Sequence, residues 1–291
     1  MSTGLLPAAG AASATWRRRL RAWRLTDALS LTWLVLLGLA ALALPLFLHL
    51  DTETMSATER LVGPSAQHWL GTDNYGRDLL ARALSGARIS LGIGFGSVAA
   101  AALIGVPLGM LAGYLKGWVD GVVSFVVDVI LAFPGLVLAL ALASFLGASI
   151  SNVMIAILVP MTPVFVRLAK AQTMSVAGRE YVEASQVIGT RTWSIVVRDV
   201  LPNILQPILA YALVSVGSAI LIEGGLSFLG MGVPPERPSW GSMINNGRIF
   251  ISEDPRLVAV PSMFMLLTIL GLNLIADRFL SRSDAATAGA R

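Results

Sequence analysis

The chain has 291 residues, of which 55% are hydrophobic and only 13% are charged, and its mean hydropathy is +0.75. This composition is too apolar for an ordinary water-soluble domain and predicts a membrane protein. The formal charge is +4, but the basic residues are scattered among apolar runs, which disfavours a nucleic-acid-binding face. The sequence has no cysteine, which excludes disulfides, thiolate metal sites and a thiol nucleophile.

Apolar windows along the chain predict an all-α membrane protein. A helix needs about 20 apolar residues to cross a bilayer, and windows of that kind without strong charges number six. They cover residues 29–50, 89–111, 119–145, 153–168, 205–226 and 257–280. The second window contains four glycines that we expect to allow close helix contacts, namely Gly92, Gly94, Gly96 and Gly105.

These windows divide the chain into four parts. We expect a cytoplasmic N-terminal arm over residues 1–28, then the first transmembrane helix and an extracytoplasmic loop with an interfacial helix over 29–87. A transmembrane domain follows over 88–280, and a cytoplasmic tail over 281–291 completes the chain. In the loop, Thr72 or Asp73 is predicted to cap a short interfacial helix that begins near Leu79.

Orientation follows from arginines before the first span, which favour the cytoplasmic side of a membrane. They are Arg17, Arg18, Arg19, Arg21 and Arg24. With the N-terminus in the cytoplasm and six spans, the C-terminus is also cytoplasmic. Residues 51–88 and 227–256 then lie outside, whereas 112–117 and 170–203 lie inside.

Motifs for ATP hydrolysis or metal chemistry are missing from the sequence. A phosphate-binding loop of the form G-x-x-x-x-G-K-[ST] needs a Gly-Lys pair, and neither Lys116 nor Lys170 follows a glycine. The two histidines, His49 and His68, are isolated from other nitrogen ligands. We therefore expect no enzymatic activity, no cofactor and no metal site, and any ATP-derived energy must come from a partner.

The segment between the fourth and fifth windows has the pattern of two short helices. The first, over 179–189, is predicted to end at Gly189 in a left-handed conformation. The second is predicted to be capped by Thr190 or Thr192 and stopped by Pro202. Its apolar stripe consists of Trp193, Val196, Val197 and Val200. Such a pair can fill a groove on another protein or lie on lipid, and periodicity alone leaves both possibilities open.

The same segment carries a family motif. Glu183-Ala184-Ser185, three residues and Gly189 resemble the E-A-A-x3-G coupling motif of ABC importer permeases, with Ser185 in the place of the second alanine. Asp199 stands where the dipeptide and oligopeptide branch usually has histidine. The flanking sequences resemble that branch, namely Arg179-Glu180-Tyr181-Val182, Val200-Leu201-Pro202-Asn203, His68-Trp69-Leu70-Gly71-Thr72-Asp73, Gly76-Arg77-Asp78, Leu226-Ser227-Phe228-Leu229-Gly230, and Pro235 with Pro238-Ser239-Trp240-Gly241.

Over about residues 17–280 the chain therefore resembles the C-type permease subunit of oligopeptide and dipeptide importers. The resemblance implies the type I importer fold in a bacterial inner membrane. It also implies a second homologous permease, two ATP-binding ATPase domains or subunits, and an extracytoplasmic peptide-binding protein as partners. Coupling to the ATPase is then expected from a segment at 179–203, through Glu180, Tyr181, Glu183, Ala184, Ser185, Gly189, Leu201 and Pro202.

Other transported substrates stay open at this point. Nickel and glutathione importers share this permease family, so both are alternatives to peptides. A secondary transporter driven by an ion gradient would need a relay of carboxylates or histidines, for which the spans offer little. A membrane scaffold without a pathway is a third possibility.

Two carboxylates inside the predicted spans are candidates for the pathway or a gate, because ionisable groups in a membrane normally face protein or water. Asp128 precedes Pro134 and is expected to bond the backbone freed by that proline, to bond a neighbouring helix, or to line the pathway. Glu223 is expected to meet a peptide amino terminus at the outer gate, to cap the turn into residues 226–230, or to lie near the outer interface.

Overall fold

The computed structural model describes residues 25–47, 55–234 and 237–288, with the side chains of 42, 44–47 and 280–288 left out. The five N-terminal arginines, His49 and Pro235 lie outside the described residues. Within them the regular structure is helical, apart from one isolated antiparallel bridge between Thr72 and Asp78. The prediction of an all-α protein is therefore confirmed.

Ten α-helices make up the described structure, and we number them in chain order. They are α1 (Leu25–Phe47), α2 (Leu79–Leu115), α3 (Gly117–Leu131), α4 (Gly135–Leu146), α5 (Ile150–Ala177), α6 (Glu180–Val187), α7 (Thr192–Ile195), α8 (Leu201–Phe228), α9 (Trp240–Gly247) and α10 (Arg256–Ala288). A π-helical stretch, Val196–Val200, joins α7 to α8. Short 3-10 turns lie at Ala57–Glu59 and Arg248–Phe250.

Each predicted span overlaps a helix, but the helices differ in their ability to cross a bilayer. Four described helices are long and apolar enough, covering Leu79–Leu115, Ile150–Ala177, Thr192–Phe228 and Arg256–Phe279. Helices α3 and α4 pass the same test only together, and the apolar part of α1, Leu25–Ala41, is shorter. Four or five spans are thus supported by length and composition, and the number six stays a prediction.

The third predicted span is broken rather than straight. Helices α3 and α4 meet at an angle of 83° across residues 132–134. Pro134 causes the break, because proline has no N–H to donate to the preceding turn and disfavours helical geometry in the residue before it. Its own backbone, with φ −57° and ψ 124°, is extended and starts α4 in a new direction.

The predicted interfacial helix is not a separate element. Residues from Leu79 onward form the first turns of α2, which continues without interruption to Leu115. Its cap is Asp78, whose carboxylate accepts from the N–H of Ala81 at 2.7 Å, so the prediction of Thr72 or Asp73 as cap was wrong. Asp73 instead pairs with Arg77 at 2.8 Å and braces the loop before the helix.

A row of glycines on α2 brings this helix against the backbone of α5. A Cβ added at Gly105 would lie 2.7 Å from the Cβ of Phe165, and one added at Gly109 would lie 2.8 Å from the Cβ of Ala169. Gly113 continues the row at the same spacing. Between membrane helices the small-xxx-small pattern allows such close approach and is stabilised by dispersion contacts. Gly105 was predicted for this role, whereas a Cβ at Gly92 would meet open space.

At the other end of α2, a buried carboxylate joins three segments of the chain. Glu223 on α8 is fully buried and accepts hydrogen bonds from the hydroxyls of Ser227 and Ser239, each at 2.7 Å, and of Ser90 at 3.2 Å. Ser90 lies on α2, and Ser239 lies directly before α9. Three hydroxyl donors satisfy the carboxylate without a cation among the described residues, and they hold α2, α8 and the start of α9 together.

Helix α9 is further attached to α2 through Trp240. Its indole Nε1 donates to the carbonyl of Ala83 at 2.9 Å, and its backbone N–H donates to the hydroxyl of Ser90 at 3.2 Å. Ser239 and Ser242 form a capping box at the start of the helix. The loop after α8 therefore ends in a rigid docking of α9 on the beginning of α2.

We predict that Gly109→Ala destabilises the protein, because the added methyl group would collide with Val166 O and Ala169 on α5. Overpacking of this kind costs about 1–3 kcal/mol. Gly92→Ala adds the same methyl group on the same helix in open space, where replacing glycine gains about 0.5–1 kcal/mol. Thermal unfolding of the purified importer in detergent measures the difference, and equal midpoints for both variants would show that close packing is not limiting.

We predict that Glu223→Leu loosens α9 while the helix bundle stays assembled. The change leaves three buried hydroxyls without their acceptor, at about 1–3 kcal/mol each when unsatisfied. Hydrogen exchange of the backbone amides in residues 240–247 should become faster by about tenfold or more, since 1.4 kcal/mol corresponds to tenfold. Glu253→Leu, an exposed carboxylate nearby, is the control. Unchanged exchange in Glu223→Leu would contradict the anchoring role.

Candidate functional site

The segment from Glu180 to Pro202 contains the largest group of predicted site residues, and α6 forms its first half. The helix is held by Val182, which is fully buried in the core, and by a hydrogen bond from Gln186 Nε2 to the Tyr114 hydroxyl at 3.1 Å. Tyr114 lies in the last turn of α2. The segment is therefore packed at the end of α2 opposite to Trp240.

Gly189 ends α6 as predicted. Its φ of +82° lies in the left-handed region, which glycine adopts without a steric penalty. The N–H of Gly189 donates to Gln186 O at 3.0 Å, and the N–H of Thr190 donates to Ser185 O at 3.1 Å. These two bonds form a Schellman motif, which satisfies carbonyls at the helix end and turns the chain sharply.

The second half of the segment differs from the prediction in its cap and its end. Arg191 occupies the cap position without a side-chain hydrogen bond, so neither Thr190 nor Thr192 caps the helix. Pro202 does not stop it, because the π-helical stretch shifts the bonding register and Leu201 N–H donates to Val196 O. Proline is tolerated in the first turn of the helix that follows. Residues 192–228 thus form one continuous helix.

The π-helical stretch also changes which apolar side chains are buried. Val196 and Val200 pack into the core together with Ile195, whereas Trp193 and Val197 are exposed. The predicted stripe assumed 3.6 residues per turn throughout, whereas the π-helical stretch begins at Val196 and only two of the four members are buried. Both halves of the segment are therefore anchored by a few buried side chains and leave other apolar groups outside.

The exposed apolar groups cluster around Gly189. Val187 is 87% exposed, Ile188 is 82% exposed and Trp193 is 69% exposed, and they flank the turn on both sides. We call the segment 187–193, which contains these three residues and the turn between them, the apolar knob. An exposed apolar cluster held on rigid short helices is typical of a surface that another protein covers.

The predicted coupling residues surround this knob. Glu180, Glu183 and Ala184 are exposed on α6, and the two glutamates form no ion pair with the described residues. Ser185 is half-buried and donates to Tyr181 O at 3.1 Å. Leu201 is half-buried and Pro202 exposed, both beyond the π-helical stretch. Sequence reasoning missed Val187 and Ile188, although two adjacent apolar residues directly before a helix-ending glycine were the available signal.

The two candidate pathway residues lie elsewhere. Asp128 on α3 is exposed and pairs with Arg167 on α5 at 2.7 Å, so the expected bond to a neighbouring helix is present. Glu223 lies in the buried serine cluster and has no solvent exposure. Its bond to Ser227 agrees with the expected cap of the turn into residues 226–230, and the described conformation gives it no access to a passing solute.

Comparison with known proteins places these features in a family. Residues 105–288 match the family described as binding-protein-dependent transport system inner membrane component. A dipeptide transport system permease protein from Alkalihalophilus pseudofirmus is 37% identical, over 82% of this chain and 79% of that protein. A glutathione transport system permease protein from Pectobacterium atrosepticum is 38% identical, over 90% and 87%. A di/tripeptide transport system permease protein from Pseudomonas aeruginosa is 40% identical, over 75% and 72%.

A solved structure supports the same fold. A chain from inward-facing conformations of the MetNI methionine ABC transporter matches with a TM-score of 0.58 and 18% identity, over 69% of this chain and 95% of that one. The type I permease fold implied by the resemblance is thereby confirmed. A permease of this kind implies a membrane, an ATPase and a binding protein. The chain belongs to the family of inner membrane components of binding-protein-dependent transport systems, as a permease subunit of an ABC importer and not an enzyme.

Proposed function

We propose that this chain forms half of the pathway of an importer for short peptides and that the apolar knob receives the movement of a separate ATPase. The observation that carries the proposal is the exposure of Val187, Ile188 and Trp193. The same segment is held in the core on either side of them by Val182 and Ile195. The names of the similar permeases, which include dipeptide and di/tripeptide systems, support peptides as the substrate class. The other half of the pathway would come from a second homologous permease.

The proposed coupling rests on the shape of the knob. Short helices are stiff, and the Schellman turn at Gly189 fixes the angle between α6 and α7. An ATPase cleft that closes on Val187, Ile188 and Trp193 would bury much apolar surface and move both helices as one body. The exposed Glu180 and Glu183 at the rim would then steer the approach of a basic surface.

The proposed orientation has both termini and the knob in the cytoplasm. The bond between Tyr114 and Gln186 places the end of α2 and the knob on one side. The bond between Trp240 and Ala83 places the start of α2 and α9 on the other side. This separation supports the loop assignment made from the arginines. The extracytoplasmic binding protein for peptides would then meet the side that carries α9 and the loop 55–78.

Vesicles that contain the full importer should take up labelled trialanine only when the binding protein and ATP are supplied. Gly189→Pro should abolish this uptake, because proline cannot reach a φ of +82° and removes the N–H bonded to Gln186 O. Gly189→Asn should keep most of the uptake, since asparagine enters the left-handed region more readily than other residues.

Membrane insertion of each variant, measured by extraction and size-exclusion chromatography, should match that of the unmodified chain. Normal uptake by Gly189→Pro would refute the role of the turn. Uptake of glutathione or nickel without any uptake of trialanine would refute peptides as the substrate class.

Ile188→Ser should weaken the hold of the ATPase without destabilising the permease. Burying an isoleucine side chain contributes about 1.5–3 kcal/mol, which corresponds to about 10- to 100-fold in affinity. Co-purification of the ATPase with tagged permease measures the loss. Phe145→Ser is the matched control, since Phe145 is 89% exposed at the end of α4, on the side opposite to the knob. Equal ATPase recovery with both variants would contradict the proposed contact.

A further inference from the structure

A ladder of polar side chains connects α3 to α5. Asp120, Ser124 and Asp128 are spaced by four residues and therefore lie on one face of α3. Arg167 Nη2 donates to Asp128 Oδ1 at 2.7 Å, Lys170 Nζ donates to Ser124 Oγ at 3.0 Å, and Ser124 Oγ donates to Asp120 at 2.9 Å. Lys170 also pairs with Asp120. The ladder thus carries two carboxylates and two cations.

The ladder runs from the predicted inner boundary of the membrane, where Asp120 and Lys170 lie, into the third predicted span, where Asp128 lies. Asp128 follows the start of α3 at Gly117 by 11 residues, which corresponds to about 16 Å along the axis. Its partner Arg167 lies at the inner end of the fourth predicted span, which covers residues 153–168. A carboxylate inside a span is costly against lipid, so the face of α3 that carries Asp128 meets either protein or water, whereas Arg167 and Lys170 can reach the inner interface.

The gap between the two helices is open. A cleft of about 260 Å³ is lined by Ser124, Val127, Asp128, Val166, Arg167 and Lys170. Asp128 is 63% exposed and Arg167 is 59% exposed, although they pair with each other. An ion pair in a dry helix contact would be enclosed by neighbouring side chains, whereas this pair borders a space large enough for several water molecules.

We infer that this cleft forms part of the transport passage and binds the charged ends of a peptide in transit, an inference that rests on the proposed function. The peptide amino group replaces Arg167 at Asp128, and the peptide carboxylate replaces Asp120 at Lys170. Each step exchanges one ion pair for another and releases one protein charge, Arg167 or Asp120, which water in the open cleft can solvate. Exposed ion pairs are individually weak, which allows the peptide to enter and leave quickly.

The spacing of the ladder suits a short extended peptide. Asp120 and Asp128 are eight residues apart on α3, which corresponds to about 12 Å. An extended chain covers about 3.3–3.6 Å per residue, so about three or four residues span the two ion-pair positions. Ser124 lies between them, where its hydroxyl can exchange its bonds to Lys170 and Asp120 for bonds to the peptide backbone.

Cysteine labelling tests the inference, and this chain has no cysteine of its own. The full importer, with Ser124→Cys in this chain, is placed in lipid nanodiscs and treated with a positively charged methanethiosulfonate reagent. Val122→Cys is the matched control, two residues earlier and about 200° around the same helix. Mass spectrometry of this chain should show labelling about tenfold faster at position 124 than at 122, because a dry apolar surrounding disfavours the reactive thiolate.

Trialanine at millimolar concentration should slow the labelling at position 124, while N-acetyl-trialanine amide, which lacks both charges, should not. Adding Asp128→Asn should raise the trialanine concentration needed for the same protection by about fivefold, in keeping with the loss of one exposed ion pair. Slow labelling at position 124 would show a contact between subunits instead of a passage and would overturn the inference. Labelling that trialanine does not affect would also overturn it.

Trialanine uptake by the unmodified importer is measured in the same preparation. Uptake together with unprotected labelling refutes only the role of the ladder. Loss of uptake in the unmodified importer would refute the proposed function itself.

Discussion

The close contact between α2 and α5 is the constraint on which the rest of the structure depends. Lipid tails are as apolar as leucine, so burial of apolar surface does not drive membrane helices together, and their association relies on dense packing. The glycines at 105, 109 and 113 permit that density, because each meets side-chain or backbone atoms of α5 at distances that a larger residue would violate. With α2 fixed in this way, its two ends become reference points: the first holds α9 through Trp240, and the last holds α6 through Tyr114.

Charged groups in the bundle are stabilised in two different ways, one at Glu223 and one in the ladder between α3 and α5. The carboxylate of Glu223 is dry and satisfied by hydroxyl donors from three segments, so it fixes geometry. The ladder between α3 and α5 consists of exchangeable ion pairs beside an open cleft. A satisfied and enclosed network favours a single arrangement, whereas solvated pairs can be remade with other partners. The structure therefore separates a rigid region from an adaptable one.

Much of the fold could be predicted from local pattern, and the failures have physical reasons. Apolar windows located the long helices α1, α2, α5, α8 and α10 but not the break between α3 and α4. Gly189 was recognised because a left-handed helix end favours glycine. Pro202 was misjudged, since a π-helical stretch depends on packing that periodicity does not encode. The partners of Glu223 could not be found, because Ser90 and Ser239 are distant in sequence. The start of α2 was also misplaced, because Asp78 rather than Thr72 or Asp73 reaches a free N–H group of its first turn.

The continuous helix from Thr192 to Phe228 has a mechanical consequence. It contains 37 residues, a length of about 55 Å, and it continues through the π-helical stretch and past Pro207 without a break in helical structure. One end bears Trp193 of the apolar knob, and the other end bears Glu223, which is bonded to Ser239 at the start of α9. On the other side of the knob, Gly178 separates α6 from the end of α5. In the proposed coupling, a displacement of Trp193 by the ATPase would therefore reach Glu223 and α9 through a single helix, so that both ends of this helix would move together.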